Sequence, residues 1–426
     1  MILVRYRHLV FGSYITILRI PGAWAFSAAA FIGRMPISMY GLSFVLLVQP
    51  ISHSYAIAGT FAATFTISSA IGSPYTSRLT DRLGQNKIAP WLTLISTVTL
   101  VLSAIVIVVF TPVPSGSTYT LLRPSVIAAL LLAAVAGASI PNMGSYVRAR
   151  WRGVVESERL LHTAFAFESV IDEVIFVVGP PLATLIAVGT SGAWSLGLCA
   201  VLLVIGTALL SVQHRTEPPT THESQTHGRL ALLYPGMAAV TAIAVLLGVV
   251  FGSFEVVTVA FASAAGHRGY AGLLLALYAF GSLASGVVVG TLHFKGPLLR
   301  RLLLQTFAFA VVCIPLPFVR TVPQLGVAAF VAGLAISPLL ISAFTLVEKL
   351  VPPARFTEGM AWMTTGLGLG VAFGAPIAGR IVDAGTAANG YFVVLVAALL
   401  ALLATLVAYP AVSRAAVANI DFELPS

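Results

Sequence analysis

Twelve long apolar runs, separated by short polar connections, constrain this chain more than any other feature. They lie near 22–48, 55–76, 89–110, 125–147, 160–187 and 194–212, and then near 235–262, 270–292, 301–319, 325–347, 357–383 and 391–411. Each run can cross the apolar core of a bilayer, which takes about 20 helical residues. Because lipid offers backbone amides no hydrogen-bond partner, such runs must be helical. They predict an all-α polytopic membrane protein with 12 transmembrane helices.

The composition excludes a soluble protein. Of the 426 residues, 58% are hydrophobic and only 9% are charged, whereas soluble domains carry about 25% charged residues. The net charge of +9 does not indicate nucleic-acid binding, because the basic residues lie mostly in the short connections. Cys199 and Cys313 fall inside apolar runs, where a buried thiol acts as a small hydrophobe.

The basic residues also predict the orientation. If the N-terminus is cytoplasmic, most of the 23 Lys and Arg residues fall on the inner side. The outer connections then hold only Arg123, Arg268, Arg320 and Arg380. Cytoplasmic loops carry such an excess of positive charge. We therefore expect a multi-pass protein of the cell (cytoplasmic) membrane with both termini in the cytoplasm.

A polar segment rich in Pro, Thr, Ser and His divides the twelve runs into six and six. Weak internal similarity supports the division, since Gly137 and Pro180 correspond to Gly333 and Pro376 at one constant offset. We predict two pseudo-symmetric six-helix bundles. The predicted units are an N-terminal bundle at 1–212, a cytoplasmic linker at 213–232, a C-terminal bundle at 233–412 and a cytoplasmic tail at 413–426.

The connection between spans 2 and 3 contains a recognisable motif. It reads Ser77-Arg-Leu-Thr-Asp81-Arg82-Leu-Gly84-Gln85-Asn86-Lys87. This resembles the G-x-x-x-D-R-x-G-R-[KR] signature of the major facilitator superfamily, since Asp81, Arg82 and Gly84 match. The first glycine of the signature is replaced by Ser77, and its basic pair by Gln85 and Asn86.

The resemblance implies a transporter in which this gating loop holds the two halves together on the cytoplasmic side. The expected partner of Asp81 is the start of span 11, around Arg355–Glu358, where a helix N-terminus favours an anion. The alternative is a solvated loop that only sets topology. The resemblance also implies a cavity bordered by spans 1, 4 and 10, which Pro36, Pro141 and Pro338 are expected to break. Gly179-Pro180 in span 5 and Gly374-Ala-Pro376 in span 11 partly resemble the Gly-Pro bend of proton-driven exporters, and plain packing is the alternative.

Five charged residues lie inside the predicted spans, where each is costly and seldom without function. They are Arg34, Glu168, Asp172, Glu173 and Glu255. Counted from the cytoplasmic ends of their spans, Arg34 and the pair Asp172–Glu173 reach a similar depth. We therefore predict an ion pair between spans 1 and 5. A static pair that only fixes helix packing is the alternative.

Three acids facing one arginine would leave surplus negative charge, so at least one carboxyl is expected to be protonated part of the time. Glu168, Asp172, Glu173 and Glu255 are therefore the candidates for proton coupling, with Arg34 as charge partner. Glu255 could instead be a protonated structural residue. Seven polar or aromatic residues are candidates for lining the substrate cavity: Tyr40, Asn142, Tyr146, Phe254, Trp362, Thr364 and Thr365. The alternative is that these side chains only pack against helices or lipid.

We interpret the chain as a secondary active transporter of a small molecule, working by alternating access. Surplus intramembrane acid favours proton-coupled efflux (a proton antiporter). A proton-driven or uncoupled importer of a sugar or other metabolite is the alternative, and a polytopic membrane enzyme or a channel is more remote. We expect no catalytic residue, metal or cofactor, because the histidines lack metal-binding spacing and no phosphate-binding loop is present. The expected partners are substrate, protons and lipid, without nucleic acid, and the expected state is a monomer.

The predicted topology can be tested by cysteine labelling. An impermeant thiol reagent applied to intact cells should label a Ser117→Cys variant, in the connection between spans 3 and 4. It should leave a Ser224→Cys variant, in the linker, unlabelled. Labelling of position 224 from outside would overturn the orientation.

Overall fold

The computed structural model describes residues 15–110, 121–220, 231–291, 297–352 and 356–420. Within these ranges the regular structure is entirely helical. Ser117, Ser224, Arg355, linker residues 221–230 and the end of the tail at 421–426 lie outside the described residues.

Twelve helical segments are long and apolar enough to cross a membrane, which confirms the predicted fold class. Spans 1–6 are Ala23–Ser52, Tyr55–Leu83, Gln85–Phe110, Pro124–Val154, Thr163–Gly189 and Gly192–Ser211. Spans 7–12 are Met237–Ala264, Arg268–Val289, Leu298–Phe318, Val322–Leu350, Glu358–Ala384 and Ala387–Pro410. Several helices continue beyond their apolar runs, and the helix of span 12, Tyr391–Ile420, extends into the predicted tail.

Spans 1, 4 and 10 are interrupted, as the prolines predict. Span 1 consists of Ala23–Arg34, a 3₁₀ turn at Met35–Ser38 and Tyr40–Ser52. Span 4 consists of Pro124–Ala138 and Met143–Val154, and span 10 of Val322–Leu334 and Ile336–Leu350. Proline has no N–H to donate to the preceding turn, so a continuous helix is disfavoured at each place.

Glycines allow the helices to approach closely, and the two halves use them alike. A Cβ on Gly137 in span 4 would lie 2.3 Å from the carbonyl oxygen of Phe65 in span 2. A Cβ on Gly333 in span 10 would lie 2.1 Å from the carbonyl oxygen of Tyr278 in span 8. These two glycines correspond in the sequence repeat, so the same helix contact recurs in each half.

The helix bundle has two ends, which we call the linker end and the distal end. The linker end contains the turn at Gly84 and the segment 212–220, and the distal end is the opposite one. At the linker end, a Cβ on Gly22, just before span 1, would lie 2.8 Å from the Thr216 side chain. Odd-numbered spans therefore run from the linker end to the distal end, and even-numbered spans run back.

Helix packing predicts a sharp contrast between two glycines. A Cβ on Gly248 in span 7 would lie 2.0 Å from the carbonyl oxygen of Leu367 in span 11, whereas a Cβ on Gly197 would meet nothing within 4 Å. Gly248→Ala should therefore lower the stability of the detergent-solubilised protein by about 1–3 kcal/mol, the usual cost of overpacking. Gly197→Ala is the matched control and should melt like the parent. Equal melting temperatures for both variants would contradict the packing described here.

Candidate functional site

Arg34 forms the centre of a charge cluster inside the N-terminal half. It is the last residue before the break in span 1, so its side chain leaves the helix where the backbone turns. Its guanidinium forms an ion pair with Glu168 and donates to Asp172 Oδ1 at 2.8 Å. Its Nε donates to the carbonyl of Ala30 at 3.2 Å. The predicted ion pair between spans 1 and 5 is thus present.

Glu168 is completely buried and fully satisfied. Besides Arg34, it accepts hydrogen bonds from Ser27 Oγ at 2.5 Å and from Trp151 Nε1 at 2.8 Å. Charge-assisted hydrogen bonds of this kind stabilise an ionised carboxylate inside a protein. Of the predicted proton-coupling candidates, Glu168 is therefore the one in the most closed environment.

Asp172 has a second cationic partner that the sequence analysis did not anticipate. Arg148 Nη2, in span 4, donates to Asp172 Oδ2 at 2.7 Å, and both side chains are 36% exposed. The apolar run ends at Val147, which suggested that Arg148 lies in a connection, but the helix continues to Val154. The expectation of three acids facing one arginine was therefore wrong. Two arginines balance two acids here.

Glu173 points away from this cluster towards the C-terminal half. It accepts a hydrogen bond from Ser337 Oγ in span 10 at 3.3 Å, and Ser337 is in turn 2.8 Å from Ser282 Oγ in span 8. Neighbouring residues on a helix are turned by about 100°, which separates Glu173 from Asp172. Among the described residues, no cation lies within ion-pair distance of Glu173.

Glu255 in span 7 mirrors this arrangement from the other half. A Cβ on Gly41, at the start of the second helix of span 1, would lie 2.8 and 3.0 Å from the two carboxylate oxygens of Glu255. The carboxyl therefore lies directly against the backbone of span 1. In the described part of the chain, Glu255 also has no cation within ion-pair distance.

Most of the predicted cavity residues are engaged in packing. Tyr146 is buried with its hydroxyl 2.9 Å from Thr80 Oγ1, and Phe254 is buried and stacks on Tyr278 at 4.1 Å. Asn142 caps the second helix of span 4, accepting from the Ser145 N–H at 3.1 Å.

The other four cavity candidates are not brought together by a shared contact. Tyr40 is buried against Phe65, with ring centroids 4.4 Å apart. Trp362 is partly buried against the core. Thr364 is exposed and donates to carbonyls of its own helix, and Thr365 is half-buried.

The gating-loop motif ends span 2, with Asp81 and Arg82 in its last turn and Gly84 at φ 98°, a conformation that favours glycine. The departures of the motif from the signature have a structural reason. Fully buried Arg150 donates to Gln85 Oε1 at 2.9 Å and to Asn86 Oδ1 at 3.0 Å. Amide oxygens at these positions accept from Arg150, whereas basic residues would repel it.

Because Arg34 and Glu168 form a buried ion pair, substitutions at the two positions should have non-additive effects on the free energy of unfolding. Arg34→Met should cost about 3–5 kcal/mol, because it leaves a buried carboxylate without its charge partner. Glu168→Gln in the Arg34→Met background should restore most of this loss. Asp172→Asn, at a partly exposed position with two cations, should cost less. Thermal unfolding in detergent of Arg34→Met, Glu168→Gln, their combination and Asp172→Asn provides the measurement, and simple additivity of the Arg34 and Glu168 substitutions would contradict the pair.

Solved transporter structures share this fold. The chain is 14% identical to a point mutant of the nucleoside transporter NupG, with a TM-score of 0.69 and coverage of 91% of this chain and 99% of that one. It is 12% identical to the POT family transporter PepTSo (TM-score 0.68, coverage 93% and 98%). It is also 12% identical to the human organic anion transporter MFSD10 (TM-score 0.59, coverage 90% and 100%).

Sequence comparison identifies the family directly. No curated protein sequence matches the chain, but the family model described as Major Facilitator Superfamily matches residues 26–322, well over half of its length. The match begins inside span 1 and ends at the first residue of span 10. The chain therefore belongs to the major facilitator superfamily and is a transporter of a small substrate.

Proposed function

We propose that this transporter couples substrate movement to protons, as an exporter that exchanges substrate for protons across the cytoplasmic membrane. The observation that supports it is a pair of carboxyls at the interface between the halves. Glu173 of the N-terminal half contacts Ser337 in span 10, and Glu255 of the C-terminal half contacts Gly41 in span 1. Among the described residues, each half thus presents to the other half one acid without a cationic partner.

Such carboxyls can link proton binding to alternating access. In an apolar medium an unpaired ionised carboxyl requires hydration, whereas its protonated form can pack against another helix. Loss of a proton should therefore favour a conformation in which water reaches the carboxyl. Binding of a proton should favour closure of the same contact. A ligand that prefers one conformation shifts the population towards it.

The Arg34–Glu168–Asp172–Arg148 cluster has a different role in this proposal. Its two cations and two acids balance, and Glu168 is surrounded by donors. We assign to it the rigid positioning of span 5, from which Glu173 projects one residue after Asp172. The Asp172–Arg148 pair is partly exposed, so its polar groups can be reached by a substrate in this proposal. In this proposal the linker end is the cytoplasmic end. The N-terminal bundle is 1–212, the linker 213–232 and the C-terminal bundle 233–412. The protein works as a monomer.

Transport by the purified protein in proteoliposomes tests the coupling. A panel of labelled nucleosides, dipeptides, organic cations and organic anions, with an imposed pH gradient, identifies a compound that the parent protein accumulates. With that compound, Glu173→Gln or Glu255→Gln should abolish accumulation but retain exchange, because a fixed neutral side chain cannot carry a proton. Glu348→Gln is the control, since Glu348 is an exposed acid at the linker end of span 10.

Two outcomes would contradict the proposal. If the parent protein moves the compound at a rate independent of the pH gradient, protons do not drive it. If both glutamine variants accumulate the compound normally while a gradient is required, the two carboxyls are structural and another group carries the proton.

A further inference from the structure

Asp383, in the last turn of span 11, caps the N-terminus of span 2. Its carboxylate accepts hydrogen bonds from Ser54 Oγ at 2.6 Å, from the Tyr55 N–H at 2.8 Å and from the Ala56 N–H at 3.0 Å. The first amides of a helix have no partner within it, and the helix dipole favours an anion there. One carboxylate from the C-terminal half thus satisfies three donors of the N-terminal half.

A further hydrogen bond, from a different residue, joins the halves at the same end. Arg268, at the start of span 8, donates from Nη2 to the carbonyl of Leu46 in span 1 at 2.9 Å. In addition, a Cβ on Gly272 in span 8 would lie 2.5 Å from the carbonyl oxygen of Pro180 in span 5. The distal end is therefore closed by spans 2 and 11 and by spans 5 and 8.

Spans 2 and 11 separate progressively away from Asp383. A Cβ on Gly379 would lie 2.5 Å from the backbone of Tyr55, and one on Gly59 would lie 2.8 Å from the backbone of Ala375. Further towards the linker end, a Cβ on Gly368 would be 3.6 Å from its nearest neighbour, the side chain of Ala70. The Asp383 cap thus lies where the two helices are closest.

The two helices are related in a reciprocal way. They are antiparallel, each has 29 residues, Tyr55–Leu83 and Phe356–Ala384, and each carries an aspartate in its last turn. Asp383 therefore lies beside the start of span 2. By the same geometry, Asp81 lies at the end of the pair where span 11 begins. Because rocking opens one end as it closes the other, stabilising contacts at the two ends are expected to form in turn.

We propose that Asp383 is a latch that stabilises the closed distal end during transport, and that it alternates with the contact that Asp81 is expected to make with the start of span 11 at the linker end. Closure at the distal end depends on the three hydrogen bonds to Ser54, Tyr55 and Ala56. The proposal requires alternating access but neither proton coupling nor a known substrate, so its failure is distinguishable from failure of the proposed function.

Cysteine accessibility in the full-length protein tests the latch. The background carries Cys199→Ala and Cys313→Ala. The distal reporter is Ala375→Cys, since Ala375 is buried in the closed end, and the linker-end reporter is Thr364→Cys, since Thr364 is exposed. An impermeant maleimide is applied to intact cells and to inverted vesicles, so that each end is reached from its own side.

Asp383→Asn should increase the labelling rate of the distal reporter about fivefold to tenfold, because the charged cap of a helix N-terminus is lost. It should decrease labelling of the linker-end reporter, a change that misfolding would not produce. Ser54→Ala should shift both reporters less, in the same directions. Asp383→Glu, which keeps the negative charge, should change both labelling rates less than Asp383→Asn does. Arg380→Gln changes an exposed charge one turn away and should leave both rates unchanged.

Other outcomes would overturn the proposal. Unchanged distal labelling in Asp383→Asn would mean that the cap does not hold the distal end closed. Faster labelling of both reporters would mean that Asp383 stabilises the fold rather than one conformation.

Discussion

A polar group inside a bilayer must find its partner within the protein, because lipid supplies none. In this transporter the requirement determines where helices break, how closely they pack and which charges they can bury. Glu168 shows it most directly, since its carboxylate is enclosed by donors from two other helical segments. Ser27 and Arg34 donate from span 1, and Trp151 donates from span 4. The close glycine contacts have a related cause: lipid also removes the hydrophobic driving force between helices, so their association depends on close packing.

The buried acids divide into two groups with different consequences. Glu168 and Asp172 are balanced by Arg34 and Arg148 within the N-terminal half, so their charge can persist while the halves move. Glu173 and Glu255 contact the opposite half without a cation among the described residues. Their environment changes when the halves move. For this reason we assign proton coupling to Glu173 and Glu255, and the rigid positioning of span 5 to Glu168 and Asp172.

Hydropathy was sufficient to predict the twelve spans, the positions of prolines predicted the breaks, and charge predicted the pairing of Arg34 with span 5. They could not predict Arg148 as a second cation, because an apolar run reports contact with lipid and does not mark the end of a helix. Asp383 was missed for a similar reason. It lies at the polar end of span 11, and its role depends on which helix begins beside it, which only the tertiary structure provides.

The central claim is that proton binding at the interface between the halves controls which end is open, and it can be measured without a substrate. Spin labels at Gly153 and Glu348 report the linker end, and labels at Ser191 and Thr386 report the distal end, all at exposed positions. Between acidic and mildly alkaline buffer, the two distance distributions should move in opposite directions, and Glu173→Gln combined with Glu255→Gln should remove the pH response. Distributions that do not change with pH in the parent protein, or that change equally in the double variant, would contradict the account.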